Sequence, residues 1–145
     1  MGEAELLRLL AEKAIERVET DRETARQELD GATRHLESAA SIADADPTAA
    51  FAVGYDAMRK AISAHMRASG YRVKRGSGHH QRTGRYALAA LDGLHVEDHI
   101  EAFDSLRQLR NQSEYDALMV EPDEVAEVLE HARALVSAVS VDLDL

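Results

Sequence analysis

Apolar residues recur along this chain at helical intervals, and no segment carries the β-branched alternation that marks a strand. The first stripe steps by three, four or seven through Ala11, Ala14, Val18, Ala25, Leu29, Ala32, Leu36, Ala39 and Ala43. It predicts one helix of about 40 residues, or two helices broken near Thr20-Asp21. Gly31 lies inside it at a cost of roughly 1 kcal/mol relative to alanine, which a long helix absorbs. Asp46-Pro47 reads as an N-cap followed by proline at the first helical position. The stripe behind it, Phe51, Tyr55, Met58, Ile62 and Met66, is the clearest in the chain, and Gly70 is placed to end that helix. A basic, glycine-containing loop is expected over residues 71–78, then a short helix over 79–91 closed by Asp92-Gly93. The next helix starts near Val96, carries Ile100, Phe103, Leu106 and Leu109, and ends near Tyr115. Pro122 opens the last helix, whose apolar side is Val125, Val128, Leu129, Ala132, Leu135, Val136 and Val139; the tail from Val141 is expected to fray. These elements predict an all-α fold, an up-and-down bundle of four to six helices. One domain is expected over residues 1–145, with residues 1–19 as a candidate N-terminal helical extension.

With 45% apolar and 30% charged residues the composition is that of a globular domain rather than a disordered chain. No run of about 18 apolar residues occurs, so no membrane span or membrane partner is expected. The first residues are acidic where a secretory signal would be basic, which argues against export and for the cytoplasm. The absence of cysteine excludes disulfides, thiolate chemistry and cysteine-ligated zinc.

Net charge is −10, but it is sharply divided. Residues 1–56 carry thirteen acids against six bases, and residues 92–145 fourteen against three. Residues 57–91 hold no acid and eight bases: Arg59, Lys60, Arg67, Arg72, Lys74, Arg75, Arg82 and Arg85. Such a segment can attract a polyanion, or dock on the acidic surface of its own fold or of a second subunit. Total charge leaves both readings open, because a phosphate feels local clustering.

The candidate chemistry concentrates in residues 106–115. On a helix, Arg107, Arg110, Asn111 and Glu114 fall at i, i+3, i+4 and i+7 and share a face, with Tyr115 one turn beyond Asn111. Two guanidinium forks beside an amide and a phenol suit a phosphate-bearing ligand. An Arg110–Glu114 ion pair and a favourable helix dipole would explain one arginine, but not both together with the asparagine. His79 and His80 follow the basic loop, where they can hydrogen-bond to phosphate; adjacent on a helix, they diverge by about 100° and do not chelate one ion. Gly76-Ser77-Gly78 lacks the Gly-Lys-Ser/Thr of a P-loop, yet leads into a helix N-terminus that can hold an anion. His95 and His99 are spaced i, i+4, but the segment between them, Val96-Glu97-Asp98, puts glutamate in neither zinc-peptidase position. No metal and no cofactor is therefore expected. Tyr71 and Tyr86 lie in or beside the basic segment and can stack on bases or serve the core.

The helix segment 55–62, then Gly70-Tyr71-Arg72, the short helix after Gly78-His79-His80, and the late Arg110-Asn111 together resemble HEPN domains. These are small helical bundles of ribonuclease toxins, antiviral systems and nucleotidyltransferase partners, and the resemblance covers roughly residues 20–140 in order. The family's catalytic signature is an arginine, usually followed by a polar residue, then a histidine four to six residues after that neighbour. Arg110 and Asn111 match its beginning. The histidine position falls at or near Tyr115, and no histidine occurs between His99 and His131. Metal-independent RNA cleavage needs a group that titrates near neutrality, and a phenol of pKa near 10 is a poor base at pH 7.

The resemblance thus implies an RNA- or nucleotide-binding protein of a prokaryotic toxin–antitoxin or defence system, with weak nuclease activity or none. Arg107, Arg110 and Asn111 would hold phosphate, Tyr115 would donate a hydrogen bond, and Arg72, Lys74, Arg75, His79, His80 and Arg82 would attract the backbone. A homodimer is expected, with the arginine motifs facing across a groove, and a cognate toxin, antitoxin or nucleotidyltransferase is a candidate partner. Two alternatives stand beside it: a metal-independent ribonuclease toxin using Arg110, Asn111 and Tyr115, and a protein-interaction module that binds a cognate partner through the basic segment.

Overall fold

The computed structural model describes residues 2–74, 76, 78–115 and 119–145, and for residues 114 and 115 the backbone alone. Among the described residues the chain forms six helices and one small sheet: α1 (Gly2–Ala11), β1 (Ile15–Arg17), α2 (Arg22–Ile42), α3 (Pro47–Ser69), β2 (Tyr71–Val73), α4 (His79–Ala90), α5 (Glu97–Tyr115) and α6 (Pro122–Leu143). This is the expected all-α bundle. Its central helix is α3, which packs along α2 and α6 and also touches α5.

Local chemistry sets the ends of these helices. Asp21 caps α2, its carboxylate accepting from the Thr24 N–H at 2.9 Å and the Thr24 hydroxyl at 2.6 Å. Asp46 caps α3 through the Ala49 N–H, with Pro47 in the first turn. Gly70 ends α3 in the left-handed conformation at φ 84°, and a Cβ there would stand 2.9 Å from the Val18 carbonyl, so only glycine fits. Glu121 and Glu124 form a reciprocal capping box at the start of α6.

The stripe Phe51, Tyr55, Met58 and Ile62 is almost wholly buried, and each aliphatic or aromatic side chain so placed contributes about 1.5–3 kcal/mol. The small buried residues Ala25, Ala32 and Ala39 let α2 lie close to α3. Every apolar position expected on α6 is buried.

Three expectations need correction. The first stripe is not one helix but two, with the expected break near Thr20-Asp21 where Asp21 caps α2; Ala11 and Val18 are exposed, and the chain between α1 and α2 makes a strand rather than helix. Residues 71–73 are not loop. They form β2, antiparallel to β1, with Ile15 opposite Val73, Glu16 opposite Arg72 and Arg17 opposite Tyr71. Ile15 and Val73 face the core while Glu16 and Arg72 pair on the outer side. Nor does the tail fray at Val141. The Arg22 guanidinium donates to the Leu143 carbonyl at 2.9 Å, His65 holds Asp142 at 3.1 Å, and Leu143 is buried.

Candidate functional site

Helices α3, α4 and α5 bring one set of aromatic and cationic side chains together. Tyr55 and Arg59 are one turn apart on α3, and Phe103, Arg107 and Arg110 recur at i, i+4 and i+7 on α5. The Tyr55 and Phe103 rings stack at 5.2 Å with 15° between their planes. From α4, the His80 Nδ1 meets the Tyr55 hydroxyl at 2.9 Å. The Arg110 guanidinium lies over the Tyr55 ring, 5.6 Å from its centre. The His79 ring stands edge-on to His80 at 5.7 Å. A buried aromatic platform thus carries a cationic rim.

The electrostatics of His80 identify that rim. Burial lowers its pKa, and the positive charges of His79, Arg107, Arg59 and Arg110 lower it further. Burial also raises the pKa of the Tyr55 hydroxyl, against the pull of Arg110, Arg107 and Arg59. Near neutral pH both groups are therefore neutral, a donor–acceptor pair ringed by guanidinium groups. Two acids temper the charge. Arg107 donates to Asp104 at 3.0 and 3.1 Å, and Arg59 donates to Asp56 at 2.7 and 2.9 Å. Burial works to raise the Asp56 pKa, but the Arg59 hydrogen bond and the charges of Arg59, Lys60 and His35 outweigh it and hold the carboxyl below its usual range.

Of the residues singled out in sequence, Arg107, Arg110 and His80 meet in this cluster, with His79 at its edge and Asn111 half-buried next to Arg110 on α5. Arg72, on β2, pairs with Glu16 and lines a cleft beside the cluster together with Lys74 and His79. Lys74 is exposed just beyond β2, and Arg82 sits half-buried in the first turn of α4. Lys74, His79 and Arg59 line an open cleft of about 1010 Å³ bounded by α2, α3, α4 and the hairpin, so the cleft and the arginine cluster adjoin. Arg75 and the side chain of Tyr115 lie outside the described residues, as does the Arg110–Glu114 pair. Sequence reasoning missed Asp104, placed Phe103 in the core only, and named Tyr55 and Arg59 within the 55–62 segment without giving either a place in the site. The one signal for Tyr55 was a phenol on an otherwise apolar stripe, since a buried hydroxyl needs a partner.

His95 and His99 do not act as a pair. His95 precedes α5 with a left-handed φ of 60°, while His99 meets His131 of α6, Nδ1 to Nδ1, at 2.8 Å. Among the described residues no group of three or more histidines and acids is placed to hold a metal ion, and no helix is long and apolar enough to cross a membrane.

The HEPN domain family model matches residues 4–142. The chain belongs to the HEPN family. No curated protein and no solved structure gave a match. Membership carries a general RNA-binding or nuclease-like role. In this HEPN chain the charge of Arg110 on α5 acts on His80 of α4, thirty residues earlier in sequence.

Proposed function

We propose that this HEPN protein binds single-stranded RNA or a nucleotide by its phosphate on the face made by α3, α4 and α5, in a prokaryotic toxin–antitoxin or defence setting. The observation that carries the reading is the Arg110 guanidinium over the Tyr55 ring, whose hydroxyl holds His80, with Arg59 and Arg107 near enough for their charges to act on that imidazole. A phosphate seated there gains charge-assisted hydrogen bonds and relieves the mutual repulsion of the cations. It also favours protonation of His80, which adds a further donor. Asn111 and Tyr115, on the same helix, are assigned to the flanking ribose–phosphate, and Lys74, Arg75 and Arg82 to steering at longer range. A homodimer would set two such faces opposite one another.

Binding of a labelled RNA panel tests this. Arg110→Ala is expected to weaken association at least tenfold and to lower the salt slope by about 0.7, the value for one single-strand phosphate contact. Unchanged binding would sink the reading.

His80 favours one second reading, weak metal-independent cleavage. The ring nitrogen turned away from Tyr55 would take the 2′-hydroxyl proton as the 2′ oxygen bonds to phosphorus. The bond to the 5′ oxygen then breaks, and that oxygen leaves as a hydroxyl with a proton drawn from water. Cut product from RNA in the presence of a chelator, lost in His80→Ala, is the expected result. Intact RNA after prolonged incubation dismisses it.

A further inference from the structure

Beside the arginine cluster, between α4 and α5, lies a second recess of about 270 Å³. Its walls are Gly84 and Leu88 of α4 with Ile100 and Phe103 of α5, and its rim includes His80 and Asp104. It therefore shares Phe103, His80 and Asp104 with the proposed phosphate site. Leu88 is 41% exposed, one of few large apolar side chains that face solvent among the described residues.

Gly84 is the informative residue. It sits in the interior of α4, where glycine costs about 1 kcal/mol relative to alanine. Its backbone is helical, so no left-handed conformation demands glycine. Packing does not demand it either, because a Cβ would meet only the Phe103 ring, at an ordinary 3.7 Å. Glycine here leaves the recess wider by one methyl in front of the buried Phe103 ring.

We infer that this recess receives a single nucleobase of the strand whose phosphate lies on Arg107, Arg110 and His80. The inference rests on the phosphate reading above. The recess is smaller than the roughly 300–1000 Å³ of a drug-sized pocket, which suits one planar ring system rather than a whole nucleotide. Leu88 offers apolar contact to the ring, with Ile100 and Phe103 buried behind it. Gln81, Glu101 and Asp104 also line the recess and can pair with its exocyclic donors and acceptors. Phosphate contacts fix position but do not distinguish bases, so base preference would come from this recess.

The test compares a short labelled oligoribonucleotide with an abasic ribose–phosphate oligomer of the same length, on the full chain. The wild type is expected to bind the base-bearing oligomer several-fold more tightly, the scale of apolar surface buried against one exposed side chain. Gly84→Leu, which fills the recess, should bring its affinity down to the abasic level and leave abasic binding unchanged. Should Gly84→Leu not fold, Leu88→Ser, at an exposed position, should remove several-fold of the same preference. Equal wild-type affinity for the two oligomers, or equal weakening of both by Gly84→Leu, overturns the inference while the phosphate site stands. A change of oligomeric state in Gly84→Leu without a change in preference overturns it too, by making the recess a contact between copies. If the wild type binds neither oligomer, the phosphate reading fails with it.

Discussion

Two histidine–tyrosine pairs in this molecule have the same local geometry and opposite surroundings. His65 Nδ1 meets the Tyr86 hydroxyl at 2.9 Å, and His80 Nδ1 meets the Tyr55 hydroxyl at 2.9 Å. Burial lowers the pKa of both imidazoles and raises the pKa of both phenols. The neighbours differ. His65 is only 7% exposed and has the Asp142 carboxylate on its other nitrogen, so α3, α4 and α6 are tied together by a satisfied chain of hydrogen bonds. His80 is half-buried, and the charges around it are Arg59, Arg107, Arg110 and His79. A carboxylate completes the first pair. The second stands among cations instead. The chemistry of a site lies in its neighbours more than in the pair itself.

The largest expected effect separates the pairs by stability. His65→Ala leaves the Tyr86 hydroxyl buried without its acceptor and opens a cavity, at a cost of about 3 kcal/mol in denaturant unfolding, whereas His80→Ala, whose site water reaches, should cost about 1 kcal/mol or less. Equal losses would erase the distinction. Binding should divide them the other way, with Arg110→Ala and His80→Ala each weakening RNA while a folded His65→Gln does not.

Dependence on pH sharpens the comparison further. Both histidines hold fewer protons folded than unfolded, so stability falls as pH drops from the ordinary histidine value of 6.5 into the lowered range. RNA affinity should move the opposite way in that window, because bound phosphate favours protonated His80. His80→Gln should flatten the affinity profile and His65→Gln should leave it intact, as read by anisotropy between about pH 5 and 8. The smallest expected effect is a gain: Asp104→Asn removes the acid that engages Arg107 and should tighten RNA by roughly two- to threefold.

The basic segment shows what could and could not be read in advance. Its excess charge was plain, but Arg67 pairs with Glu28, Arg72 with Glu16, and Arg85 with Glu5 and Glu12, all partners from the acidic N-terminal third. Those pairings set the α3–α4–α5 face apart, and composition carries no trace of them. Helices α3 and α6 were legible because cap, proline and stripe agree locally. The β1–β2 pair was not, since each strand is three residues long and their partners lie 56 residues apart at Glu16–Arg72. In the site, Arg107 and Arg110 were visible from helical spacing. His80 was visible as a residue, but its meeting with them depends on how α4 packs against α5.

The most direct test of the phosphate site follows the imidazole resonances of the seven histidines by NMR while a short single-stranded RNA is added at stepped pH. The expected result is a rise in the His80 pKa on saturation, with the His65 signal unmoved. RNA that binds while His80 keeps its unliganded titration, or that shifts His65 equally, would contradict the phosphate site at the α3–α4–α5 face.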